Sequence, residues 1–367
     1  MRMMMHFSAV VSTIVLLLGI PNSALAWGDE GHEVVCQIAY MELSPTARQR
    51  VDGLIAEDTE FREFARSCTW PDHPRQRASE HFLNVERSAS AVTPGQPCGT
   101  AAKCVVTAIV NDTRDLASSP DGSDALRLLK SLGHWVGDIH QPMHVSFSDD
   151  RGGNKVSVTG PCDSNMHSVW DTCILQETIG EDAKTVALDL RSEITQQERA
   201  DWSAGDVTLE TVLGWANESL DISRAPDVGY CILRGNVCQY DDNRVVYEDG
   251  QQTRSVVVDE AYLQRQSERV RTRLKMAGVR LGAVLDKIFG EGDRVAAAAN
   301  LRDFSLTRLV EARAAPTSNV VPSLRNLALA PAASDKVLAA TSTQDQVDAL
   351  LLRVKELEAE LIAMKSR

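Results

Sequence analysis

The segment from Asp124 to Ile139 constrains the fold of this chain most, because its apolar side chains recur at helical spacing over its whole length. The apolar positions are Leu126, Leu128, Leu129, Leu132, Trp135, Val136 and Ile139. Pro142 then predicts a bend or an end of this helix. Other long apolar periodicities, a low aromatic content of 5% and the lack of alternating Val/Thr runs predict an all-α protein, mainly helical with short β-hairpins.

The N-terminal residues predict a secretion signal rather than a folded element. Arg2 precedes an apolar run over residues 7–20, and the small-residue run Ala24-Leu25-Ala26 follows as a cleavage site. The apolar run is shorter than the roughly 18 residues that a transmembrane helix needs. We therefore expect residues 1–26 to be a signal peptide. The mature chain would begin at Trp27 and be secreted or periplasmic.

The C-terminal residues differ in composition from the rest of the chain. Residues 291–345 are rich in Ala, Ser, Thr and Pro, which predicts a linker after a globular domain over residues 27–290. Residues 346–367 carry a heptad pattern and predict a short coiled-coil helix. Its apolar positions are Val347, Leu350, Val354, Leu357, Leu361 and Met364. We expect a homo-oligomer through residues 347–364, with a frayed amphipathic tail helix as the alternative.

Eight cysteines in an exported chain predict disulfides rather than thiol chemistry. Three possible pairs are close in sequence and two cysteines remain: Cys98–Cys104, Cys162–Cys173 and Cys231–Cys238, with Cys36 and Cys68 left over. The pairing stays open, because eight cysteines allow roughly a hundred connectivities. No CxxC pair occurs, which disfavours a cysteine-rich zinc site.

The formal net charge of −13 excludes some kinds of nucleic-acid binding. A protein that holds a long duplex in a broad groove needs a basic surface to neutralise many phosphates. A small metal-centred site that handles one phosphate at a time is compatible with an acidic chain, since some of the carboxylates can be ligands.

Histidines and aspartates recur at a spacing that suits metal binding. His134 and Asp138 are four residues apart on the predicted helix, so both project from one face, and His167 with Asp171 repeats that spacing. Four more candidates are His32, Asp72, His81 and His144. Imidazoles and carboxylates without thiolates are typical of catalytic zinc, which keeps positions open for water and substrate. Each pair alone could equally be a surface hydrogen bond.

Seven short motifs together carry a family resemblance. They are WGDEGH, TWPDHPR, EHFLN, LGHWVGDIHQPMH, RGGN, NMHSVWD and WANES, and they cover residues 27–290 in the family's order. The chain resembles the class I zinc-dependent single-strand nucleases and 3′-nucleotidases, a family with fungal, plant and bacterial members. The resemblance implies the mostly helical fold of the phospholipase C/nuclease superfamily.

The resemblance also implies three zinc ions and nine ligands. The amino group and carbonyl of Trp27 would hold an exposed zinc together with His32, and Asp138 would bridge it to a second zinc. The other ligands of the second zinc would be Asp72, His81 and His134, and those of the third would be His144, His167 and Asp171. A terminal amine at Trp27 exists only if cleavage follows Ala26.

The same resemblance implies roles in hydrolysis. Asp72 would orient the nucleophile, and Arg75 would stabilise the transition state unless it is an ordinary surface arginine. Phe82 would stack on a base, with core packing as the alternative. Asn84 stands where fungal members have Asp, so base preference stays open. Substrates would be single-stranded DNA, single-stranded RNA and 3′-nucleotides, with 5′-phosphorylated products.

Other residues of these motifs are interpreted as structural. We expect Asn154 to stabilise a turn, Trp215 and Glu218 to make helix contacts, and His73 and His140 not to bind metal. A zinc-dependent phospholipase C is the rival enzyme, against which the stacking position counts. A non-catalytic coiled-coil scaffold with structural metal is the third hypothesis. Nine filled ligand positions disfavour it, because structural zinc sites are normally closed four-ligand sites.

Overall fold

The computed structural model describes residues 27–99, 101–162, 164–203, 205–239 and 255–290. These residues are mainly helical with small sheets, which confirms the predicted fold class. The predicted signal peptide, linker and coiled coil lie outside the described residues. In the described part of the chain, no helix combines the length and apolar character needed to cross a bilayer.

The helices follow the predicted apolar periods. They are α1 (Asp29–Glu42), α2 (Pro45–Ala56), α3 (Phe64–Ser67), α4 (Val105–Ser118), α5 (Gly122–His140), α6 (Met166–Ser168), α7 (Ile174–Thr178), α8 (Ala183–Glu193), α9 (Gln196–Trp202), α10 (Leu209–Arg224) and α11 (Glu260–Phe289). A π-helical turn over Val169–Cys173 joins α6 to α7, and 3-10 turns cover Trp70–Asp72 and Pro142–His144. Helix α5 ends at His140, two residues before Pro142, as the proline predicts.

Side-chain caps define where several helices begin. In each of six described helices the residue before the first turn accepts a hydrogen bond from a backbone N–H of that turn, which satisfies a donor that the helix itself leaves unpaired. These residues are Ser44, Asn165, Asp182, Thr195, Thr208 and Asp259.

Three two-stranded sheets complete the described fold. Their strands are β1 (Leu83–Val85), β2 (Val145–Phe147), β3 (Ser157–Thr159), β4 (Ile232–Arg234), β5 (Val237–Gln239) and β6 (Ser255–Val257). β4 and β5 form a hairpin, whereas β1–β2 and β3–β6 are parallel pairs that join segments far apart in sequence. The pairing of Leu83 with Val145 brings the residues before β1 next to the residues that follow α5.

Helix α1 lies in the centre of the fold and packs against α3, α5, α8 and α11. Glycines on two of these neighbours allow its close approach. A methyl group at Gly133 would overlap the sulfur of Cys68, and one at Gly278 would overlap the side chain of Ile38. A methyl group at Gly137 would lie 2.7 Å from His32 Nδ1. The glycines of α5 therefore determine how closely a histidine on α1 can approach this helix.

All eight cysteines are paired in four disulfides. The structure contains the three short-range pairs that were possible from the sequence, and it joins the two remaining cysteines. The Cys36–Cys68 bond ties α1 to the segment after α3, directly against Gly133 of α5. It therefore constrains the segment that leads to Asp72.

Candidate metal centre

Eight of the nine ligand positions expected from the sequence lie together in the interior of the domain. They are His32 on α1, Asp72 at the end of a 3-10 turn, His81 before β1, His134 and Asp138 on α5, His144 at the end of the turn after α5, His167 on α6, and Asp171 in the π-helical turn. Their exposed fractions range from 0% to 6%, so water reaches them only at the edge of the group.

These residues form three trios in which the candidate ligand atoms lie within 4.8 Å of one another. The trios are His32, His134 and Asp138; Asp72, His81 and His134; and His144, His167 and Asp171. No other group of this kind occurs within the stretches of chain that the structure describes. The third trio contains the three residues that the resemblance implies for the third zinc, whereas the first trio includes His134, which the resemblance gives to the second zinc. The assignment of each residue to an ion stays a prediction.

Asp138 links the three trios. Its Oδ1 lies 3.5 Å from His32 Nε2 and 3.3 Å from His144 Nδ1. Its Oδ2 lies 3.3 Å from both His81 Nδ1 and His134 Nε2. One carboxylate therefore faces histidines from each trio, which is the position expected of a bridging ligand.

Asp72 is the carboxylate of the second trio and faces both of its histidines. Its Oδ1 is 3.5 Å from His81 Nδ1, and its Oδ2 is 3.6 Å from His134 Nε2. The rings of His32 and His134 stack with their centroids 3.7 Å apart, which joins the first and second trios.

Asp171 completes the third trio. Its Oδ1 is 3.6 Å from His144 Nε2, and its Oδ2 is 3.4 Å from His167 Nε2. The side-chain amide of Gln141 donates a hydrogen bond to Asp171 Oδ1 and so holds the carboxylate against the two rings.

Backbone carbonyls fix which ring nitrogen faces each trio. His134 Nδ1 is 2.8 Å from the carbonyl of Cys68, and His144 Nδ1 is 2.6 Å from the carbonyl of His81. A carbonyl oxygen can only accept, so each Nδ1 is the donor and each Nε2 is left with a lone pair. Metal-binding histidines are usually oriented by such a hydrogen bond from the other ring nitrogen.

Two further histidines, His167 and His81, also donate one ring N–H to a backbone carbonyl and turn the other ring nitrogen towards a trio. His167 Nδ1 donates to the carbonyl of Gly152 over 2.7 Å, and its Nε2 faces Asp171. His81 Nε2 donates to the carbonyl of Gln76 over 2.8 Å, and its Nδ1 faces the second trio.

Several buried atoms of this group have no hydrogen-bond partner among the described residues. They are both carboxylate oxygens of Asp138, both ring nitrogens of His32, and Nε2 of His144. A buried polar atom without a partner is destabilising, and native structures contain few of them. Their convergence fits residues that hold metal ions, and the nitrogen–oxygen donor set fits zinc.

Burial controls the protonation of these histidines. It lowers the pKa of His32, His134 and His144 well below the ordinary value. Burial is also the main reason why the pKa of His81 falls to about 3 and that of His167 to about 4. All five rings are therefore neutral at pH 7, which is the form that binds metal.

The carboxylates respond to burial in the opposite direction. Burial raises the pKa of Asp138 and Asp171 well above the ordinary value, and the negative charge of Asp72 raises both further. Protein side chains alone thus disfavour the ionised form of these two ligands. A cation held between them would reverse that preference.

Trp27 lies beside the first trio. Its side chain is fully buried, and its indole Nε1 donates to the carbonyl of Gly137 over 2.9 Å. The indole also packs against Gly31, one residue before His32. This places the predicted first residue of the mature chain next to a candidate ligand, while its role as a ligand stays a prediction.

A cavity of about 760 Å³ opens beside the third trio. It is lined by Arg75, Ala78, Ser79, Phe82, Asn84, Met143, His144, Arg151, Asn154, Asn165 and His167. The predicted substrate residues Arg75, Phe82 and Asn84 thus border the same space as two candidate ligands. Phe82 is only half-buried and faces this cavity, which favours a binding role over core packing.

Some residues of this cavity were not identified from the sequence as binding residues. Asn154 was assigned to a turn, and its amide does donate to the carbonyl of Arg151 over 2.8 Å, yet it also lines the cavity. Arg151 and Asn165 were not singled out. Their position in the RGGN and NMHSVWD motifs, which carry the resemblance, was a usable signal.

A second cavity of about 440 Å³ lies away from the metal ligands. Its walls come from α1, α2, α8 and the segment that begins α3, and they include Tyr40, Asp52 and Phe64. None of the predicted site residues lines it. The chemistry of the trios therefore assigns the functional site to the larger cavity.

A buried aspartate supports the second trio from behind. Asp112 Oδ2 accepts hydrogen bonds from Arg77 Nη1 over 2.6 Å and from the indole of Trp135 over 2.9 Å. The indole in turn contacts the rings of His81 and His134 edge-on. Asp112 lies in a helix far from both histidines in sequence, so the sequence offered no signal for this contact.

The histidines expected not to bind metal have other partners. His73 Nε2 lies 2.8 Å from Asp29 Oδ1 at the surface. His140 Nδ1 donates to the carbonyl of Val136, so its Nε2 accepts from Arg280 Nη1 over 2.7 Å. Neither belongs to a trio.

The WANES segment of α10 makes helix contacts, as expected. Glu218 accepts hydrogen bonds from Arg273 and Arg280 of α11, and the guanidinium of Arg280 lies 5.2 Å from the ring centroid of Trp215.

Comparison with known proteins gives one consistent result. The family described as S1/P1 Nuclease matches residues 27–290. Endonuclease 2 of Arabidopsis thaliana is 30% identical over 306 residues, covering 78% of this chain and 98% of the plant protein. Nuclease S1 of Aspergillus oryzae is 31% identical over 190 residues, covering 49% and 65%. Nuclease P1 of Penicillium citrinum is 30% identical over 215 residues, covering 53% and 78%.

Proposed function

Because this chain belongs to the S1/P1 nuclease family, we propose that its three trios hold zinc and that the adjoining cavity binds single-stranded nucleic acid. The chain is a nuclease, a hydrolase that acts on phosphodiester bonds. The observation that carries the proposal is the group of eight buried His and Asp side chains around Asp138, with unsatisfied atoms that converge beside a cavity.

Nine residues would hold three zinc ions. Trp27 and His32 would share one ion with Asp138. Asp138 would bridge to a second ion, and the remaining ligands would be Asp72, His81 and His134 for the second and His144, His167 and Asp171 for the third. Zinc in such a site supplies a nucleophilic water near neutral pH and neutralises the charge of the phosphate.

Asp72 and Arg75 would act on the scissile phosphate. The Asp72 carboxylate lies at the edge of the second trio and would orient the attacking water towards phosphorus. Attack forms the new P–O bond while the bond to the 3′-oxygen breaks, and that oxygen leaves with a proton, so the product carries a 5′-phosphate. Arg75 lines the cavity, and its positive charge adds to burial in lowering the pKa of His167. Its guanidinium is thus close enough to stabilise charge that develops on phosphate oxygens.

Phe82 and Asn84 would bind the base. The ring of Phe82 borders the cavity next to Asn84, so a base could stack on the ring while its polar edge meets the amide. Stacking in this position requires a base that has left its duplex partner, which costs a few kcal/mol in double-stranded substrates. The geometry therefore favours single strands and also admits 3′-mononucleotides.

The disulfides support an exported protein. Structural disulfides such as these four form and persist mainly in oxidising compartments. We propose that the chain is exported and that removal of residues 1–26 exposes the Trp27 amine. Self-association through residues 347–364 is a separate proposal, which the size of the purified protein in solution tests.

The decisive experiment compares substrates on the mature protein that begins at Trp27. Single-stranded DNA and RNA, matched duplexes, 3′-AMP and phosphatidylcholine are assayed with bound zinc, after chelation, and after zinc is restored. We expect rapid cleavage of single strands and 3′-AMP, loss on chelation and recovery with zinc. Turnover of the lipid alone would move the chain to phospholipase activity, and no turnover with zinc bound would refute the catalytic proposal.

Two variants then test the assigned roles. Asp72→Asn should abolish cleavage of every substrate. Phe82→Ala should raise KM for single strands by about 5- to 150-fold, the range that loss of one stacked base implies. An unchanged KM in Phe82→Ala would indicate that Phe82 packs in the core and does not bind a base.

A further inference from the structure

Arg151 is a cationic side chain of the cavity to which the reaction assigns no role. It lies in the turn between β2 and β3, is exposed, and lines the same cavity as Arg75 and Phe82. Its backbone φ is 57°, a left-handed conformation that is uncommon for residues other than glycine. The turn therefore presents a side chain at a position where glycine would fit more easily.

The neighbouring acidic residues do not neutralise Arg151. Asp149 and Asp150 precede it in sequence, but both carboxylates pair with Arg87, at 2.5 Å from Nε and 2.7 Å from Nη2. Within the described ranges of the chain, the guanidinium of Arg151 makes no ion pair or hydrogen bond. Its charge is thus available to a ligand in the cavity.

The turn that carries Arg151 is anchored on both sides. The buried Asp150 accepts hydrogen bonds from the hydroxyl of Tyr230 over 2.7 Å and from the amide of Gly153 over 2.8 Å. The carbonyl of Gly152, the next residue, accepts from His167 Nδ1. The backbone of Arg151 is therefore held at a defined place next to the third trio.

We propose that Arg151 binds a phosphate next to the scissile one and so favours polynucleotides over mononucleotides; this inference rests on the proposed function. A chain with a formal net charge of −13 repels a polyanion, so a second phosphate needs a local cation. Arg75 is assigned to the scissile phosphate. Arg151 lines the same cavity and is free to bind the neighbouring phosphate, with a planar guanidinium that suits phosphate oxygens.

The test compares Arg151→Gln with the wild type on substrates that differ in phosphate number. 3′-AMP and the dinucleotide TpT contain only the phosphate that is cleaved or released, whereas the tetranucleotide TpTpTpT offers flanking phosphates. We expect the KM of the tetranucleotide to rise about 10-fold, the low end for a hydrogen bond to a charged group. The KM of TpT and 3′-AMP and all kcat values should stay within about twofold, since the contact does not touch the cleaved bond.

Equilibrium binding of an octathymidylate, measured by fluorescence anisotropy across a salt series, gives a second readout. It is measured in the Asp72→Asn background, which should not cleave the ligand. Loss of one phosphate contact should reduce the slope of log Kd against log salt by about 0.7 when Arg151→Gln is added. Arg151→Lys should retain the slope. Lys155→Gln, in the same turn but not lining the cavity, is the matched control and should bind like Asp72→Asn alone.

The two proposals fail separately. An unchanged slope in Arg151→Gln, or an equal rise in KM for TpT and the tetranucleotide, would overturn the role of Arg151. Wild-type protein that binds the octathymidylate but cleaves neither TpT nor longer strands would overturn the proposed function, and the binding series would still decide on Arg151.

Discussion

Two carboxylates, Asp138 on α5 and Glu218 on α10, have opposite electrostatic surroundings. Asp138 is fully buried, faces four histidines, and has no hydrogen-bond partner for either oxygen among the described residues. Glu218 lies on α10 and receives hydrogen bonds on both oxygens, from Arg273 and from Arg280.

The pKa values of the two carboxyls move in opposite directions. Burial raises the pKa of Asp138 well above its ordinary value. Burial also acts to raise the pKa of Glu218, but the hydrogen bonds and charges of Arg280 and Arg273 outweigh it and lower the pKa. The protein thus pairs Glu218 with two arginines, whereas the charge of Arg75 only partly offsets the effect of burial on Asp138. A buried carboxyl whose pKa stays raised despite a nearby arginine indicates a further cation that is not a side chain.

The largest expected effect comes from removing the charge of Asp138. Asp138→Asn should reduce cleavage at least about a thousandfold, as for groups that act as one catalytic unit, and lower the zinc content measured by mass spectrometry. After chelation the same variant should unfold at a higher urea concentration than the wild type, because a neutral amide replaces a carboxylate that burial disfavours. Full zinc content together with full activity in Asp138→Asn would show that Asp138 is not a metal ligand.

The second effect concerns pH in the chelated protein. The pKa of His81 is about 3 and that of His167 about 4 in the folded state, below the ordinary value of about 6.5. A lowered folded pKa means that the stabilisation is complete above about pH 6.5 and is lost as the pH falls through these values. Five candidate ligand histidines share this direction, against two carboxylates with raised pKa.

We therefore expect the chelated protein to lose a few kcal/mol of unfolding free energy between pH 7 and pH 5. Urea titrations at each pH measure it. Zinc-loaded protein at pH 7 should be more stable, since metal binds only the folded arrangement of ligands. If the chelated protein became more stable on acidification, the raised pKa values of the two carboxyls would outweigh the lowered pKa values of the histidines.

The third effect tests how α5 presents its ligands to α1. In Gly137→Ala the new methyl group would lie 2.7 Å from His32 Nδ1, so the ring must shift. We expect a loss of about 10- to 100-fold in activity, the range for disturbed support of metal ligands, and a lower zinc content.

Gly214→Ala is the matched control for that variant. Nothing lies within 4 Å of the new methyl group on α10, so activity should not change, and stability should rise by up to about 1 kcal/mol from helix propensity. Equal activity of the two variants would show that the position of His32 is not critical.

The smallest effect on catalysis is expected from Glu218. Glu218→Gln leaves Arg273 and Arg280 without their carboxylate, so unfolding free energy should fall by about 1–3 kcal/mol, reduced by the partial exposure of this side chain. Zinc content and kcat of the folded fraction should match the wild type. Glu210→Gln, exposed on the same helix, controls for the loss of charge. A loss of zinc in Glu218→Gln would contradict the conclusion that Asp138 binds metal whereas Glu218 only pairs with arginines.

Part of the site was predictable because it depends on short stretches of chain. His134 with Asp138 and His167 with Asp171 were identified by their spacing of four residues within helical segments, and the structure places both pairs in trios. The two glycines at Gly133 and Gly137, four residues apart inside a strong helix pattern, were an unused signal. Glycine destabilises a helix interior, so such a pair indicates a close neighbour.

Other parts could not be predicted, because they depend on contacts between distant segments. The availability of Arg151 follows from the pairing of Asp149 and Asp150 with Arg87, which lies more than 60 residues away in sequence. The support that Asp112 gives to the second trio likewise depends on how α4 packs on α5.

The sequence by itself determined the helical periods, the C-terminal end of α5, the residue types that can bind metal and the family to which the chain belongs. These properties rest on interactions within a turn or two of chain and on motifs that can be matched directly. Only the tertiary structure decided that Asp138 stands between three trios and keeps a raised pKa, while Glu218 pairs with two arginines and has a lowered one. Whether a buried carboxylate is paired depends on which distant side chains packing brings within hydrogen-bond distance, and local patterns do not encode that distance.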